Sequence, residues 1–134
     1  MDAKLRGGCL CGTVRYELSA GPQAVTHCHC SMCRKHHGAA FATHGSVRRT
    51  EHAFTQGGDV LRSFRATPQV TRTFCSLCGS PLLWHIAGKY EDWLSIPRGT
   101  LDTLFVPTYQ KHIHVGSKAS WFEITDGWPQ HAEW

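Results

Sequence analysis

Seven cysteines are the residues of this 134-residue chain whose type and spacing most directly suggest chemistry. They fall into three short groups, at residues 9–11, 28–33 and 75–78. Thiolates at such spacings are typical ligands of Zn²⁺, which prefers four tetrahedral nitrogen or sulfur donors. An odd number of cysteines leaves one thiol unpaired in any complete disulfide scheme, so the sequence favours metal sites over disulfides.

The first and third groups share a pattern in which the second cysteine is followed directly by glycine, Gly12 or Gly79. A metal knuckle wraps the backbone around an ion, and glycine there permits a positive φ and avoids a clash with Cβ. The two groups are far apart in the sequence, so a shared ion would join the start of the chain to its later half. They supply the four thiolates of a closed structural zinc site: Cys9, Cys11, Cys75 and Cys78. The alternative is that these are buried free cysteines.

The middle group supplies three thiolates, from Cys28, Cys30 and Cys33. Three protein ligands leave a fourth position on zinc for water or substrate, which is the pattern of a catalytic site. Such an ion could bind a substrate sulfur or polarise an oxygen. The alternative is a second structural zinc completed by a histidine, for which five are close in sequence: His27, His29, His36, His37 and His44.

Other residues near the middle group could assist chemistry at an open zinc position. His36 and His37 are placed to act there as proton carrier or substrate contact. Arg34 and Lys35 follow Cys33 directly and could offset the charge of three thiolates or hold a substrate carboxylate. Arg98 and Lys118 are further candidates for carboxylate binding.

The formal charge of +4 and the pI near 8.8 suggest a nucleic-acid partner at first sight. Seven thiolates add seven negative charges and two Zn²⁺ ions add four positive ones, so the charge falls from +4 to +1. This change disfavours nucleic acid as a partner. The segment from Met1 to Arg6 lacks the apolar core of a signal peptide, and no apolar run suggests a membrane span. We therefore expect a cytoplasmic protein, in a compartment where cysteine clusters more often bind metals than form disulfides.

The segments between the cysteines favour strands, because they are rich in β-branched and aromatic residues and bounded by glycine or proline. The predicted strands are residues 13–18, 40–47, 61–66, 70–74, 82–86, 93–96 and 113–115. Residues 57–59 predict a hairpin connection. Residues 32–37 and 99–105 could each form a turn or two of helix, and residues 130–134 could be loose. The sequence thus predicts one all-β domain over residues 5–130, held together by structural zinc.

The cysteine groups and their neighbours resemble the glutathione-dependent formaldehyde-activating enzyme family, also called the centromere protein V/GFA domain. The resemblance lies in GCLCG at residues 8–12, CHCSMCRK at 28–35 with Gly38, and FCSLCGSP at 74–81. Residues 99–102, 112–122 and 126–130 resemble the closing segment of the family. Three cysteine groups in the right order make the resemblance specific over nearly the whole chain.

The resemblance implies an Mss4-like fold of twisted β-sheets with two zinc ions. It assigns the structural ion to Cys9, Cys11, Cys75 and Cys78, and the second ion to Cys28, Cys30 and Cys33. The implied activity is that of a carbon–sulfur lyase, which joins glutathione to formaldehyde as S-hydroxymethylglutathione and reverses that reaction. The partners implied are a small thiol such as glutathione and an aldehyde.

Two other classes of function are compatible with the same residues. A non-catalytic zinc module could bind a protein or nucleic acid, although the chain has no long basic extension that would favour a chromatin role. A thiol or metal sensor could use the three closely spaced cysteines as a redox-active group. An open coordination position would favour catalysis, whereas a fourth protein ligand would favour a binding module. The sequence leaves the oligomeric state open.

Overall fold

The computed structural model of the protein describes residues 4–134, which form ten strands and one short α-helix, α1 (Ser31–His37). One sheet has three strands in the order β1 (Leu5–Gly8), β2 (Arg15–Leu18), β5 (His52–Gln56). The other sheet has seven strands, in the order β10 (Gln110–Ile113), β3 (Ala24–Cys28), β4 (Ala42–Arg48), β9 (Trp93–Pro97), β8 (Pro81–Ile86), β7 (Val70–Cys75), β6 (Leu61–Arg65). The predicted all-β class is confirmed.

The two sheets share one hydrophobic core. Tyr16 and Leu18 of the small sheet are buried in the same cluster as Val47, Leu82 and Ile96 of the large sheet. Alternate residues of β2 are buried, as expected for a strand with one face against a core. Two cysteines, Cys9 and Cys75, are members of this cluster. The core therefore brings the loop after β1 and the end of β7 to the same place.

A smaller buried cluster lies elsewhere in the large sheet. It contains Ala42 at the start of β4, Ile113 at the end of β10, and the cysteines Cys28 and Cys33. β10 pairs with β3 in parallel, with Ile113 opposite Cys28, and β3 pairs antiparallel with β4, with Cys28 opposite Ala42. Three adjacent strands thus meet where β3 ends and α1 begins.

Six of the seven predicted strands correspond to β2, β4, β6, β7, β8 and β9, with ends shifted by a few residues. The strand predicted over residues 113–115 is wrong beyond Ile113, which ends β10, because His114 has φ +55° and Val115 begins a 3-10 turn. β1, β3 and β5 were not predicted, since β1 contains Gly7 and Gly8 and the other two are short and partly polar. The hairpin predicted at residues 57–59 is wrong. These residues pass from β5 in one sheet to β6 in the other, and Gly57 has φ +81° where a Cβ would lie 2.3 Å from the Thr13 carbonyl oxygen.

Two other predictions about local structure meet different outcomes. The helix over residues 32–37 is present as α1, whereas residues 99–105 contain only the end of a 3-10 turn, Arg98–Thr100. Residues 130–134 are not loose. The amide of His114 donates to the Glu133 carbonyl oxygen, and the ring of Trp134 packs edge-on against the ring of His114.

In the described residues we find no helix of the length and apolarity that a bilayer crossing needs.

His52 in β5 makes part of the stability of the small sheet dependent on pH. Its ring stacks on Tyr16, and its Nε2 atom is buried without a hydrogen-bond partner among residues 4–134. Burial lowers the pKa of His52 from 6.5 to about 4. The unfolded chain therefore binds a proton more readily, so the contribution of His52 to stability is complete above about pH 6.5 and is lost as the pH falls toward about 4.

We expect His52→Phe to reduce this acid sensitivity, because phenylalanine keeps the ring stacking and removes the buried nitrogen. We expect the free energy of unfolding of His52→Phe near pH 5 to exceed that of wild type by roughly 1 kcal/mol, after discounting for the exposed part of the ring. Thermal unfolding of both proteins at about pH 7.5 and about pH 5 measures the effect. The same pH dependence in both proteins would contradict this role of His52.

Candidate metal centres

The cysteines of the first and third groups come together at the edge of the main core. Their four sulfur atoms, from Cys9, Cys11, Cys75 and Cys78, all lie within 4.8 Å of one another. The Cys9–Cys11 and Cys11–Cys75 sulfur distances are 3.6 and 3.9 Å. Four sulfurs about 2.3 Å from a tetrahedral Zn²⁺ are separated by about 3.8 Å, so this set fits the ion. All seven cysteines are free, which excludes the disulfide alternative for this structure.

The glycines after these cysteine pairs have the backbone conformation that the sequence predicts. Gly12 and Gly79 both have φ +80°, which L side chains rarely adopt. The Gly12 amide donates to the Cys9 carbonyl oxygen and the Gly79 amide to that of Cys75, which closes each turn. The predicted clash with Cβ is wrong, because no heavy atom of the described residues lies within 4 Å of a Cβ built at either position. Conformation alone therefore favours glycine here.

Hydroxyl groups beside this four-cysteine site favour the thiolate form. The Ser80 hydroxyl lies 3.2 Å from the Cys78 sulfur and lowers the pKa of the Cys78 thiol to about 5. The Thr13 hydroxyl lies 3.3 Å from the Cys11 sulfur and likewise lowers the pKa of Cys11. In addition, the Val14 amide donates to the Cys9 sulfur. These contacts suit sulfurs that carry negative charge, as metal ligands do.

The middle group forms a separate three-cysteine site where β3 passes into α1. The sulfur atoms of Cys28, Cys30 and Cys33 lie within 4.8 Å of one another. Within residues 4–134, no histidine or carboxylate joins this group at that distance. This geometry does not supply the fourth protein ligand that a closed site would need.

The contact between Cys28 and Cys30, together with the start of α1, determines the charge distribution in the three-cysteine site. Cys30 is the N-cap residue, and its sulfur accepts a hydrogen bond from the Cys33 amide at 3.3 Å. A hydrogen bond from the Cys28 thiol lowers the pKa of Cys30 well below its ordinary range. The same contact raises the pKa of Cys28. Without metal, the negative charge therefore lies on Cys30 first.

The sequence of the chain matches the profile of the family described as glutathione-dependent formaldehyde-activating enzyme over residues 4–118. The chain belongs to this family. A curated protein of Halomonas elongata, named "Putative glutathione-dependent formaldehyde-activating enzyme", is 28% identical over 127 residues, with 90% of this chain and 80% of that protein covered. A crystal structure of a Rhodobacter sphaeroides protein is similar in fold, with a TM-score of 0.62, 21% identity, and coverage of 75% of this chain and 90% of that one.

Three of the histidines considered as metal ligands form a cluster near the three-cysteine site of this family member. The rings of His36 and His37 are 5.2 Å apart, and those of His37 and His44 are 5.3 Å apart. Burial lowers the pKa of His37 to about 4 and that of His44 to about 3, and it also lowers the pKa of His36. These imidazoles are therefore neutral near pH 7. Each then offers one hydrogen-bond donor and one acceptor.

His29 belongs to a hydrogen-bonded chain that was not predicted from the sequence. Its Nε2 atom lies 2.8 Å from Nδ1 of His112, and Nε2 of His112 lies 3.0 Å from a carboxylate oxygen of Asp126. His29 and His112 are 0% and 1% exposed. The partners are 83 residues apart in sequence, so spacing gave no signal. His27 instead contacts Thr43 and Gln110.

The basic residues predicted to assist the site of this formaldehyde-activating enzyme family member are placed differently from expectation. Lys35 is exposed, and the Arg34 guanidinium donates to the Ser117 carbonyl oxygen. Arg98 and Lys118 also donate to main-chain carbonyl oxygens, those of Phe105 and of Ala119 and Phe122. Arg72, which was not among the predicted residues, contacts a sulfur of the three-cysteine site. Its Nη2 atom donates to the Cys33 sulfur at 3.5 Å.

An open cleft of about 560 Å³ lies in the closing segment of the chain. Residues 118 and 120–124 line it, together with Gln130. Phe122 lines this cleft, and its ring is 6.3 Å from the ring of His29, the residue between Cys28 and Cys30 in sequence. The volume is in the range of small-molecule sites.

Proposed function

We propose that this protein is a zinc-dependent carbon–sulfur lyase that makes and breaks adducts of glutathione with an aldehyde, such as S-hydroxymethylglutathione. The observation that carries the proposal is the three-cysteine site, where three sulfurs gather and no other residue of the described part of the chain, 4–134, supplies a fourth ligand. Membership of the family supports glutathione and formaldehyde as the substrate class. The name of the Halomonas elongata relative supports the same class.

Both sites suit zinc, and we infer two ions per chain with different roles. Cys9, Cys11, Cys75 and Cys78 would enclose one ion completely, as structural sites do. Cys28, Cys30 and Cys33 would hold the other and leave it one position for substrate. When bound there, zinc supplies a Lewis acid that favours the thiolate form of an incoming thiol or polarises the adduct oxygen.

The proposed reaction adds a thiol across a carbonyl group. A C–S bond forms, the π electrons of the carbonyl move to oxygen, and the proton of the thiol ends on that oxygen as a hydroxyl group. The reverse reaction breaks the C–S bond and returns the proton to sulfur. No oxidant or reductant takes part. The site therefore needs only to hold the thiol and the aldehyde close together in the right orientation.

Residues around the three-cysteine site would position the substrate. The neutral imidazoles of His36 and His37 can accept a hydrogen bond from the hydroxyl group of the adduct or donate one to its oxygen. The body of the thiol would occupy the cleft lined by residues 118 and 120–124. Trp121 is largely exposed there and offers an aromatic surface to it.

The test is the rate of exchange between free formaldehyde and S-hydroxymethylglutathione, measured by magnetisation transfer with ¹³C-labelled formaldehyde. Because the uncatalysed reaction also proceeds, the zinc-loaded protein must accelerate exchange above that background. Parallel reactions with 2-mercaptoethanol and with larger aldehydes test the substrate class. No acceleration by protein carrying two zinc equivalents, with any of these pairs, would overturn the proposed lyase activity.

A further inference from the structure

Arg72 is a buried arginine in the middle of β7. It is 3% exposed, and its strand neighbours are Phe64 of β6 and Trp84 of β8. Its guanidinium extends to the three-cysteine site and donates to the Cys33 sulfur. A guanidinium is always charged, and burying such a charge is costly unless an anion accompanies it.

The anion that accompanies Arg72 is not a carboxylate. Four ion pairs occur within residues 4–134, and none of them includes Arg72. The neighbouring imidazoles of His36, His37 and His44 carry no negative charge at any ordinary pH. The guanidinium contacts the Cys33 sulfur, and the sulfurs of the three-cysteine site become anionic as thiolates when they bind a metal ion. Arg72 and the thiolates therefore neutralise each other.

We propose that Arg72 is the fixed countercharge of the three-cysteine site and slows the loss of its metal ion. Three thiolates around a divalent ion leave one negative charge, which the single positive charge of Arg72 cancels. A protein group that hydrogen-bonds to a ligand typically affects metal affinity by about 10- to 100-fold. This inference rests on the metal-binding role proposed for the three cysteines and does not depend on the identity of the substrate.

The position of Arg72 in β7 is well suited to this role. Cys75 ends the same strand and belongs to the four-cysteine site. β7 is paired on both sides, with β6 and β8, so its backbone is held in the sheet. The guanidinium is thus presented to Cys33 by a fixed strand, whereas Lys35, on the short helix α1, remains exposed.

The experiment compares zinc release from wild type, Arg72→Met and Arg72→Lys, each loaded with two zinc equivalents, using a chromogenic chelator at neutral pH. Methionine keeps much of the buried side-chain volume without the charge. We expect one of the two ions to leave Arg72→Met at least about tenfold faster than wild type. Lysine restores the charge without the planar guanidinium, so Arg72→Lys is expected to release this ion at an intermediate rate.

The ion of the four-cysteine site is an internal control, since its release should be unchanged in every variant. Arg65→Met, in the exposed part of β6, is the matched control for loss of one arginine, and we expect it to release zinc at the wild-type rate.

If Arg72→Met does not fold, Arg72→Lys still tests the proposal, because we expect it to release zinc faster than wild type. If Arg72→Met releases zinc at the wild-type rate, the proposed role of Arg72 is wrong. If only Arg72→Lys folds, a wild-type rate of zinc release from that variant would likewise overturn it. Wild type that binds only one zinc would instead overturn the metal-binding role of the three cysteines.

Discussion

Replacing Cys78 with serine is expected to remove one zinc ion and most of the stability of the protein. The ion of the four-cysteine site would join the loop after β1 to the turn between β7 and β8. Two of its ligands, Cys9 and Cys75, lie in the main core with residues of both sheets. Binding of structural zinc contributes on the order of 10 kcal/mol in small domains, as much as the whole stability of many proteins. A serine hydroxyl does not replace the thiolate at neutral pH.

The measurement is thermal unfolding of Cys78→Ser beside wild type, together with zinc analysis of each purified protein. We expect a broad unfolding transition at much lower temperature, or none, and fewer than two zinc equivalents. Ser76→Ala is the matched control, because Ser76 is exposed in the same turn and its side chain bonds to no other described residue. That variant should unfold as wild type does. A Cys78→Ser protein with the stability of wild type would show that this ion is dispensable for folding.

Cys30→Ser is expected to have the opposite result, with loss of activity and retention of the fold. Cys30 caps α1 and lies beside the smaller cluster, away from the core shared by the two sheets. Serine is also a good N-cap residue, so α1 can still begin at the same place. The variant should bind one zinc and accelerate formaldehyde exchange at least about 100-fold less than wild type, since a catalytic metal contributes several kcal/mol to a reaction.

The measurements are the formaldehyde exchange rate, zinc content and thermal unfolding of the Cys30→Ser protein. Ser31→Ala is the control, because Ser31 is the exposed neighbour of Cys30 in the first turn of α1. Its activity and zinc content should match those of wild type. If Cys30→Ser kept two zinc equivalents and full activity, the division between a structural and a catalytic ion would be wrong.

Local features of the structure could be predicted from the sequence because they depend on residues that are close along the chain. Glycine after Cys11 and Cys78 indicates a turn with positive φ, since few other residues adopt it, and both glycines have φ +80°. The helix over residues 31–37 begins at an N-cap within the middle cysteine group and ends at Gly38. Strands with clear β-branched and aromatic content, such as β7 and β9, were also predicted.

Features that depend on strand partners could not be predicted in the same way. Residues 57–59 have the composition of a hairpin, but β5 pairs with β2 and β6 pairs with β7, so they connect two sheets. β3 is polar at Thr26 and His27 and forms because β10 and β4 hydrogen-bond to it on both sides. Local composition carries no information about these distant partners.

The sequence by itself determined how many thiolates each of the three cysteine groups can supply, and it determined that the domain is all-β. It could do so because cysteine spacing and strand composition are local properties. Only the tertiary structure showed that Arg72, rather than Arg34 or Lys35, contacts Cys33, and that His29 contacts His112. These pairs are 39 and 83 residues apart. Contacts at such separations follow from strand order and register, which arise when the whole core packs at once.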